Sequence, residues 1–279
     1  MSWIRTDRPL VFGHRGGSRL APENTLPAFD RAVAEGVDGL ELDVRLSRDG
    51  DVVVCHDARL DRTCDVAGAI AGLSAADLSR VDAGYRFTAA DGTHPFRGIG
   101  IGVPTLREVL GRHPAHPIII EMKDDSSAMA EATIGVVREA GALGRVCLGS
   151  FSSGVLRQAR RIAPGTASSA SRQEVLHAIL WSRLGWLPPF RRYRAFQVPE
   201  GRERLRVVTP RFVRAAHRAG VPVQVWIVDG ADDMRRLLGW GVDGLITDRP
   251  DIAVKTVAEW IGGRARNACP TSPGTLSSG

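Results

Sequence analysis

Two segments near the start of the chain carry residue types that chemistry needs: GHRGG at 13–17 and LELDVRLSRDGDVVVCHD at 40–57. They supply two histidines, His14 and His56, an arginine, Arg15, and two alternating carboxylates, Glu41 and Asp43, on stretches that read as β-strands. Histidines exchange protons near neutral pH, and grouped carboxylates hold hard divalent cations. That combination is what metal-assisted cleavage of a phosphodiester requires.

The spacing can be pushed to geometry. Leu40 to Leu46 alternates apolar and charged residues, so Glu41 and Asp43 project to one side of a strand. Asp49-Gly50 is the signal of a two-residue hairpin into Val52-Val53-Val54. A turn centred there sets Asp43 opposite His56, with Cβ atoms roughly 5 Å apart. An amphipathic hairpin with a solvated charged face explains the same pattern, but the second histidine motif, at the end of the short apolar run Pro9 to Gly13, shifts the balance. Gly16 and Gly17 permit a tight turn and a close backbone approach to a ligand. Further along, Glu121 and Lys123 close the run Ile118-Ile119-Ile120 and point the same way. Arginine occurs 35 times and lysine only at 123 and 255, so a lysine kept at a strand end points to a need for a compact ammonium, with chance retention as the alternative. Glu41, Asp43 and Glu121 make a hard oxygen set suited to Mg²⁺ or Ca²⁺, while Arg15 and Lys123 are placed to hold phosphate oxygens. The two histidines divide the base and acid work, in an order the residues leave open.

Strands must bring these groups together. Candidates are 10–14, 38–44, 117–122, 145–149, 165–169, 194–198, 222–228 and 243–247, with 52–56 as the return arm of the hairpin. Helical periodicity falls at 23–35, 105–112, 126–140, 153–162, 210–219, 231–239 and 250–260. The alternation predicts an α/β fold on a parallel sheet. Residues 60–105 break the rhythm and read as a long excursion, and GIGIG at 98–102 lacks the context of a dinucleotide fingerprint.

The chain resembles the glycerophosphodiester phosphodiesterase family in GHRGG with PENTLPAF, GLELDV, DGDVVVCHD followed by RT at 62–63, VPTLREVL, IIIEMK, VWIVD and GVDGLITDRPD. These stretches run in the family's order from about residue 10 to 252. The resemblance implies a (β/α)8 TIM barrel, and a chain of 279 residues agrees with one. It implies a single domain over 8–261, with a small insertion after the second strand at about 60–105 that helps shape the alcohol side of the site. It implies catalytic roles for His14 and His56, an aromatic lining of the glycerol pocket at Trp226, and hydrolysis of a glycerophosphodiester to glycerol 3-phosphate and an alcohol. Asp229 departs from the asparagine the family often has; it either turns away from the phosphate or meets a hydroxyl of the alcohol.

The remaining features are weaker. A net charge of +6 and arginines at 183, 191, 192, 194, 202, 204 and 206 suit an anionic substrate or a phospholipid surface, and no nucleic-acid module is recognisable. Val175 to Phe190 is apolar on more than one helical face yet too short to span a bilayer, so it either packs on the barrel or makes transient contact with a membrane surface. His94, His113, His116, His177 and His217 read as surface or packing residues, and Cys55, Cys64, Cys147 and Cys269 have no metal-ligand spacing. With neither a leader nor a spanning segment, a cytoplasmic location is expected. Residues 262–279 are expected to be disordered. Oligomeric state is left open. Two rival functions stand beside hydrolysis of soluble glycerophosphodiesters: a lysophospholipase D at a membrane surface, and a non-catalytic phosphodiester or lipid-binding protein, which would have no need of an acid and a base.

Overall fold

The computed structural model describes residues 3–4, 6–189, 191–202 and 205–268. In chain order the elements are β1 (Leu10–His14), α1 (Leu26–Glu35), β2 (Gly39–Leu46), β3 (Val52–Val54), α2 (Ala75–Leu78), α3 (Leu106–Arg112), β4 (Ile118–Met122), α4 (Ser127–Glu139), β5 (Val146–Gly149) and α5 (Ser153–Ile162). They continue with β6 (Ala167–Ser168), α6 (Arg172–Ser182), β7 (Phe196–Pro199), the short ribbon β8 (Gly201–Arg202) and β9 (Leu205–Arg206), α7 (Pro210–Arg218), β10 (Val223–Trp226), α8 (Ala231–Trp240), β11 (Gly244–Thr247) and α9 (Pro250–Ala268).

Eight parallel strands neighbour one another in the order β6-β5-β4-β2-β1-β11-β10-β7 and curl into a TIM-like barrel. A single parallel bridge, Ser169 to Ala195, joins the two ends of that path. The helix starts are set by local chemistry: the hydroxyls of Thr25, Thr105, Ser126, Ser152, Ser171 and Thr209 each accept a first-turn N–H. Each such cap is worth about 1 kcal/mol. Alternation along the strands then sorts the side chains. Leu40, Leu42 and Val44 of β2 pack outward in the main core against α1, α3 and α4 residues such as Phe29, Leu106 and Met129. Inside the barrel, Leu10, Phe12, Ile119, Cys147 and Ile246 form a smaller cluster, against which Trp3 stacks on Phe12 at 5.7 Å.

The hairpin register differs from expectation by one residue. Val44 pairs with Val54 and Leu46 with Val52. Ser47 N–H bonds the Asp51 carbonyl at 3.0 Å, so Arg48, Asp49 and Gly50 form a three-residue turn, with Gly50 left-handed at φ 85°. Ser47 Oγ donates to Asp49 at 2.5 Å and holds the aspartate inside that turn. Asp43 therefore faces Cys55, whose N–H donates to the Asp43 carbonyl at 3.0 Å, and His56 lies beyond the end of β3.

Between β3 and α3 the chain makes an excursion with its own core of Leu60, Cys64, Ile70, Leu78, Ile101 and Val103. Its ends are pinned together: Val54 N–H donates to the Pro104 carbonyl at 2.8 Å, and Val53 bridges Thr105. At the other end of the chain, α9 continues to Ala268, so residues 262–268 are helical where disorder was expected, and 269–279 lie outside the described residues. In the segment 175–190, Ala178 and Leu187 are buried and Val175, Ile179 and Trp181 pack on the main core, while Leu176, Leu180, Leu184 and Trp186 are exposed; Phe190 lies outside the described residues. Among the described residues no helix is long and apolar enough to cross a membrane. Cys55, Cys64 and Cys147 are buried free thiols, and Cys269 lies outside the described residues.

Candidate active site

The carboxylates and histidines gather where the strands of the barrel end. Strand register does the first part of the work. Glu41 of β2 lies beside His14 of β1, and Asp43 lies beside Glu121 of β4. One oxygen from each of Glu41, Asp43 and Glu121 lies within 4.8 Å of the others. Lys123, one residue past β4, reaches back with its Nζ 2.9 Å from Asp43 Oδ1 and 3.0 Å from Glu121 Oε1. The ammonium pairs with both oxygens and neutralises charge between the two carboxylates.

The turn after β1 supplies the next layer. Arg15, Gly16 and Gly17 all have positive φ. Gly16 has no room for a Cβ, which would stand 2.7 Å from the backbone of Ala28 in α1, and a Cβ on Gly17 would strike Pro250. The close approach expected of these glycines is thus to α1 and α9 of the protein itself. The turn aims the Arg15 N–H at Glu41 Oε2, 3.1 Å away. The Arg15 guanidinium bonds Glu23 at 2.9 Å and lies 3.0 Å from Asp43 Oδ2. Asn24, also at positive φ, donates to Asp43 Oδ2 at 2.9 Å. Asp43 is consequently buried beneath the site, while Arg15 and Lys123 line the cavity.

Each histidine is oriented by a carboxylate. His14 Nδ1 is 2.6 Å from Asp248 Oδ1, at the end of β11, which leaves Nε2 directed toward Glu41 at 3.9 Å. Since an ionised carboxylate only accepts, Nδ1 carries the proton. His56 Nδ1 is 2.7 Å from Asp57 Oδ1. Asp57 in turn accepts from Arg62 at 2.5 Å, and Arg62 grips both oxygens of Glu23 at 2.7 Å. An unbroken chain of charge contacts therefore links His56 in the excursion, through Arg62 and Glu23, to Arg15 and Asp43 in the barrel.

Burial and neighbouring charge set the protonation of these groups. Burial, reinforced by Asp43 and Glu121, pushes the Glu41 carboxyl up to about 7 against the opposing pull of His14 and Arg15. Burial works to raise Asp43 as well, but Lys123 and Arg15 outweigh it and hold Asp43 below its usual range. Burial works to lower His14, and Glu41 and Asp248 overcome it, so His14 sits above its ordinary value. Three carboxylates this close, one of them driven toward protonation, fit a hard divalent cation and make an acidic cluster able to hold one.

Of the residues singled out in the sequence, His14, Arg15, Glu41, His56, Glu121, Lys123 and Trp226 line one cavity of about 500 Å³. The same cavity has an apolar lining of Phe151, Val175, Leu176, Ile179, Trp226 and Ile227, with Lys123 Nζ 5.7 Å from the centre of the Phe151 ring. Trp226 meets Phe151 edge to face at 6.5 Å. Asp229 does not line this cavity: its Oδ1 accepts from Thr247 Oγ1 at 3.0 Å and from the Asp248 N–H at 2.9 Å. Sequence reasoning missed Asp248, Asn24, Glu23 and Arg62. Asp248 has a signal, an acidic residue at the end of the last strand of the barrel, but nothing in the sequence pairs it with His14.

The profile of the glycerophosphoryl diester phosphodiesterase family matches residues 14–252. A glycerophosphodiester phosphodiesterase of Caldanaerobacter subterraneus subsp. tengcongensis is 31% identical over 259 residues, covering 90% of this chain and 98% of the relative. Among solved structures, the glycerophosphoryl diester phosphodiesterase domain of an uncharacterized Mycobacterium tuberculosis protein superposes with a TM-score of 0.78 at 25% identity, over 89% of this chain and 99% of the other. An Oleispira antarctica phosphodiesterase, solved in complex with the product sn-glycerol-3-phosphate, superposes with a TM-score of 0.72 at 23% identity, over 90% of this chain and 97% of the other.

Proposed function

The chain belongs to the glycerophosphoryl diester phosphodiesterase family, and from that membership we propose that it hydrolyses glycerophosphodiesters to glycerol 3-phosphate and an alcohol. The observation that carries this reading is the pairing of two carboxylate-oriented histidines with an acidic triad around one cavity. Glu41, Asp43 and Glu121 hold a divalent cation, Mg²⁺ or Ca²⁺. When bound, it supplies charge stabilisation at the phosphodiester. Arg15 and Lys123 bind the phosphate oxygens, with Arg15 kept in place by Glu23. His14 and His56 move the protons, one activating water and the other protonating the leaving alcohol. Asp248 and Asp57 keep each Nδ1 protonated, so that each Nε2 is the working nitrogen. Trp226 lines the glycerol side of the pocket, and the product complex of the Oleispira antarctica phosphodiesterase supports glycerol 3-phosphate as product.

The test is release of glycerol 3-phosphate from glycerophosphocholine after EDTA and after return of Mg²⁺ or Ca²⁺, in wild type, His14→Ala and Glu41→Ala. Turnover is expected to need the metal and to fall by about 10²-fold or more in His14→Ala. Metal-independent turnover that survives both substitutions would sink the mechanism. No turnover at all would favour the binding-protein reading, against which the two oriented histidines argue.

One observation favours a second reading. The cavity's apolar lining includes the exposed side chains of Phe151, Leu176 and Ile227, and the segment that carries Leu176 also exposes Leu180, Leu184 and Trp186. Such a surface suits an acyl chain, and segment 175–190 would rest on the membrane that presents it. Choline release from lysophosphatidylcholine, together with flotation on phosphatidylcholine vesicles, distinguishes a lysophospholipase D from an enzyme of soluble diesters. Absence of both would leave the soluble substrate alone.

A further inference from the structure

On the outside of the barrel, between α5 and the segment that leads into β7, lies a second cleft of about 730 Å³. It shares no lining residue with the catalytic cavity. Six of its ten lining residues are arginines: Arg157, Arg160, Arg161, Arg191, Arg192 and Arg194. With 35 arginines in 279 residues, composition by itself places one or two among ten positions. The other four are glycine, glutamine, proline and threonine, so neither a carboxylate nor an aromatic ring faces the cleft.

Three of these guanidinia are held by the protein: Arg161 donates to Gln158 in the cleft wall, and Arg160 and Arg191 are bonded more extensively. Arg160 pairs with Glu174 at 2.9 Å and bonds Ser168 Oγ and the Ser169 carbonyl at 2.8 Å. Arg191 donates to the carbonyls of Pro188 and Ala219. Among the described residues, Arg157, Arg161, Arg192 and Arg194 form no ion pair. Like charges gathered on a concave wall repel one another, and the low-dielectric walls focus their field into the cleft. A bound anion relieves that repulsion. Guanidinium forks match phosphate oxygens two at a time, and satisfying several forks at once calls for several phosphates on one ligand. With no ring to stack on, a nucleobase gains nothing here.

We propose that this arginine cleft binds a multiply phosphorylated anion, either free in solution or displayed as the headgroup of a lipid. The site is separate from the phosphodiesterase chemistry and does not depend on it.

The experiment is titration of the metal-free protein with tripolyphosphate by calorimetry, comparing wild type with Arg192→Ala/Arg194→Ala. Arg80→Ala/Arg138→Ala, with the same loss of charge at exposed positions elsewhere, serves as control. Whatever the catalytic cavity binds is common to all three. The cleft pair is expected to lose about tenfold or more in affinity and the control pair little. Glycerophosphodiester turnover is expected to be the same in all three. Arg192→Lys/Arg194→Lys keeps the charge, guards against a folding defect, and is expected to recover only part of the affinity because the fork is gone. A parallel arm compares phosphatidylcholine vesicles with the same vesicles carrying phosphatidylinositol bisphosphate. Cleft-dependent binding to tripolyphosphate alone assigns a free ligand, and to the doped vesicles alone a headgroup. Equal losses in the cleft and control pairs, or binding to neither probe, overturns the proposal.

Discussion

At the level of single residues, the site depends on groups that do not themselves meet the substrate. Asp248 fixes the tautomer of His14, and Asp229 holds the backbone that carries Asp248. Asp248→Asn is expected to lower kcat on glycerophosphocholine by about 10²–10⁴ with little change in KM, because the amide can present a donor where His14 needs an acceptor. Steady-state kinetics decide it, and an unchanged kcat would remove Asp248 from the machinery. Glu41→Gln replaces a buried carboxyl driven toward protonation by a neutral isostere. The metal-free variant is expected to melt above metal-free wild type. Only wild type is expected to gain from added Mg²⁺ or Ca²⁺, by about 2.7 kcal/mol at a hundredfold excess over Kd. Scanning calorimetry with and without metal reads both effects, and an equal metal-induced shift in the two proteins would exclude Glu41 from the cation site. His14, Glu41, Asp43 and Glu121 were legible in the sequence because alternation sets Glu41 and Asp43 on one side of a strand, and short apolar runs end at His14 and Glu121. Asp248 was not, since its partnership with His14 spans 234 positions of the chain and exists only once the barrel has formed.

At the level of elements, local signals set the limits well. Hydroxyl caps mark the helix starts, and the helix expected at 153–162 is observed at Ser153–Ile162. The hairpin failed by one residue because Asp49-Gly50 has the sequence of a two-residue turn, whereas Ser47 draws Asp49 into a three-residue one. His56 reaches the cavity all the same, because it has left the ladder and no longer obeys its alternation. The α5–α6 contact carries a pH dependence. Burial works to raise the Glu174 carboxyl, but its hydrogen bonds from Arg160 and from Ser171 N–H hold it below its ordinary value. A depressed carboxyl contributes its full stability above its unfolded pKa of about 4.3 and loses it as pH falls through the lower folded value. Glu174→Gln is thus expected to cost roughly 1–2 kcal/mol at neutral pH and to lose less stability on acidification than wild type. Urea titrations at neutral and acid pH check this, and parallel pH profiles for the two proteins would refute it.

At the level of the molecule, the barrel has a strong side and a seam. β2 pairs with β4 over five positions, while β6 and β7 meet through one bridge. Hydrogen exchange should therefore be faster at the amides of Ala170 and Arg194, which cross the seam, than at those of β2 and β4. Equal protection would show that the seam is as firm as the rest. The excursion after β3 behaves differently again. Its core takes in only Val53 from the sheet, and its two ends are tied to each other where they leave the barrel. The frame consequently feels a closed loop whose length it scarcely senses, since closure entropy grows only slowly with added residues. Such an attachment works as a socket. A chimera that takes residues 65–102 from a relative, keeping His56, Asp57 and Arg62, should melt close to the parent while ranking alcohols differently; a large drop in melting temperature would show that the two cores are not separable. The inheritance of substrate preference can then be uncoupled from the inheritance of the fold, with novelty arriving as a cassette at one address and the phosphate chemistry passed on unaltered.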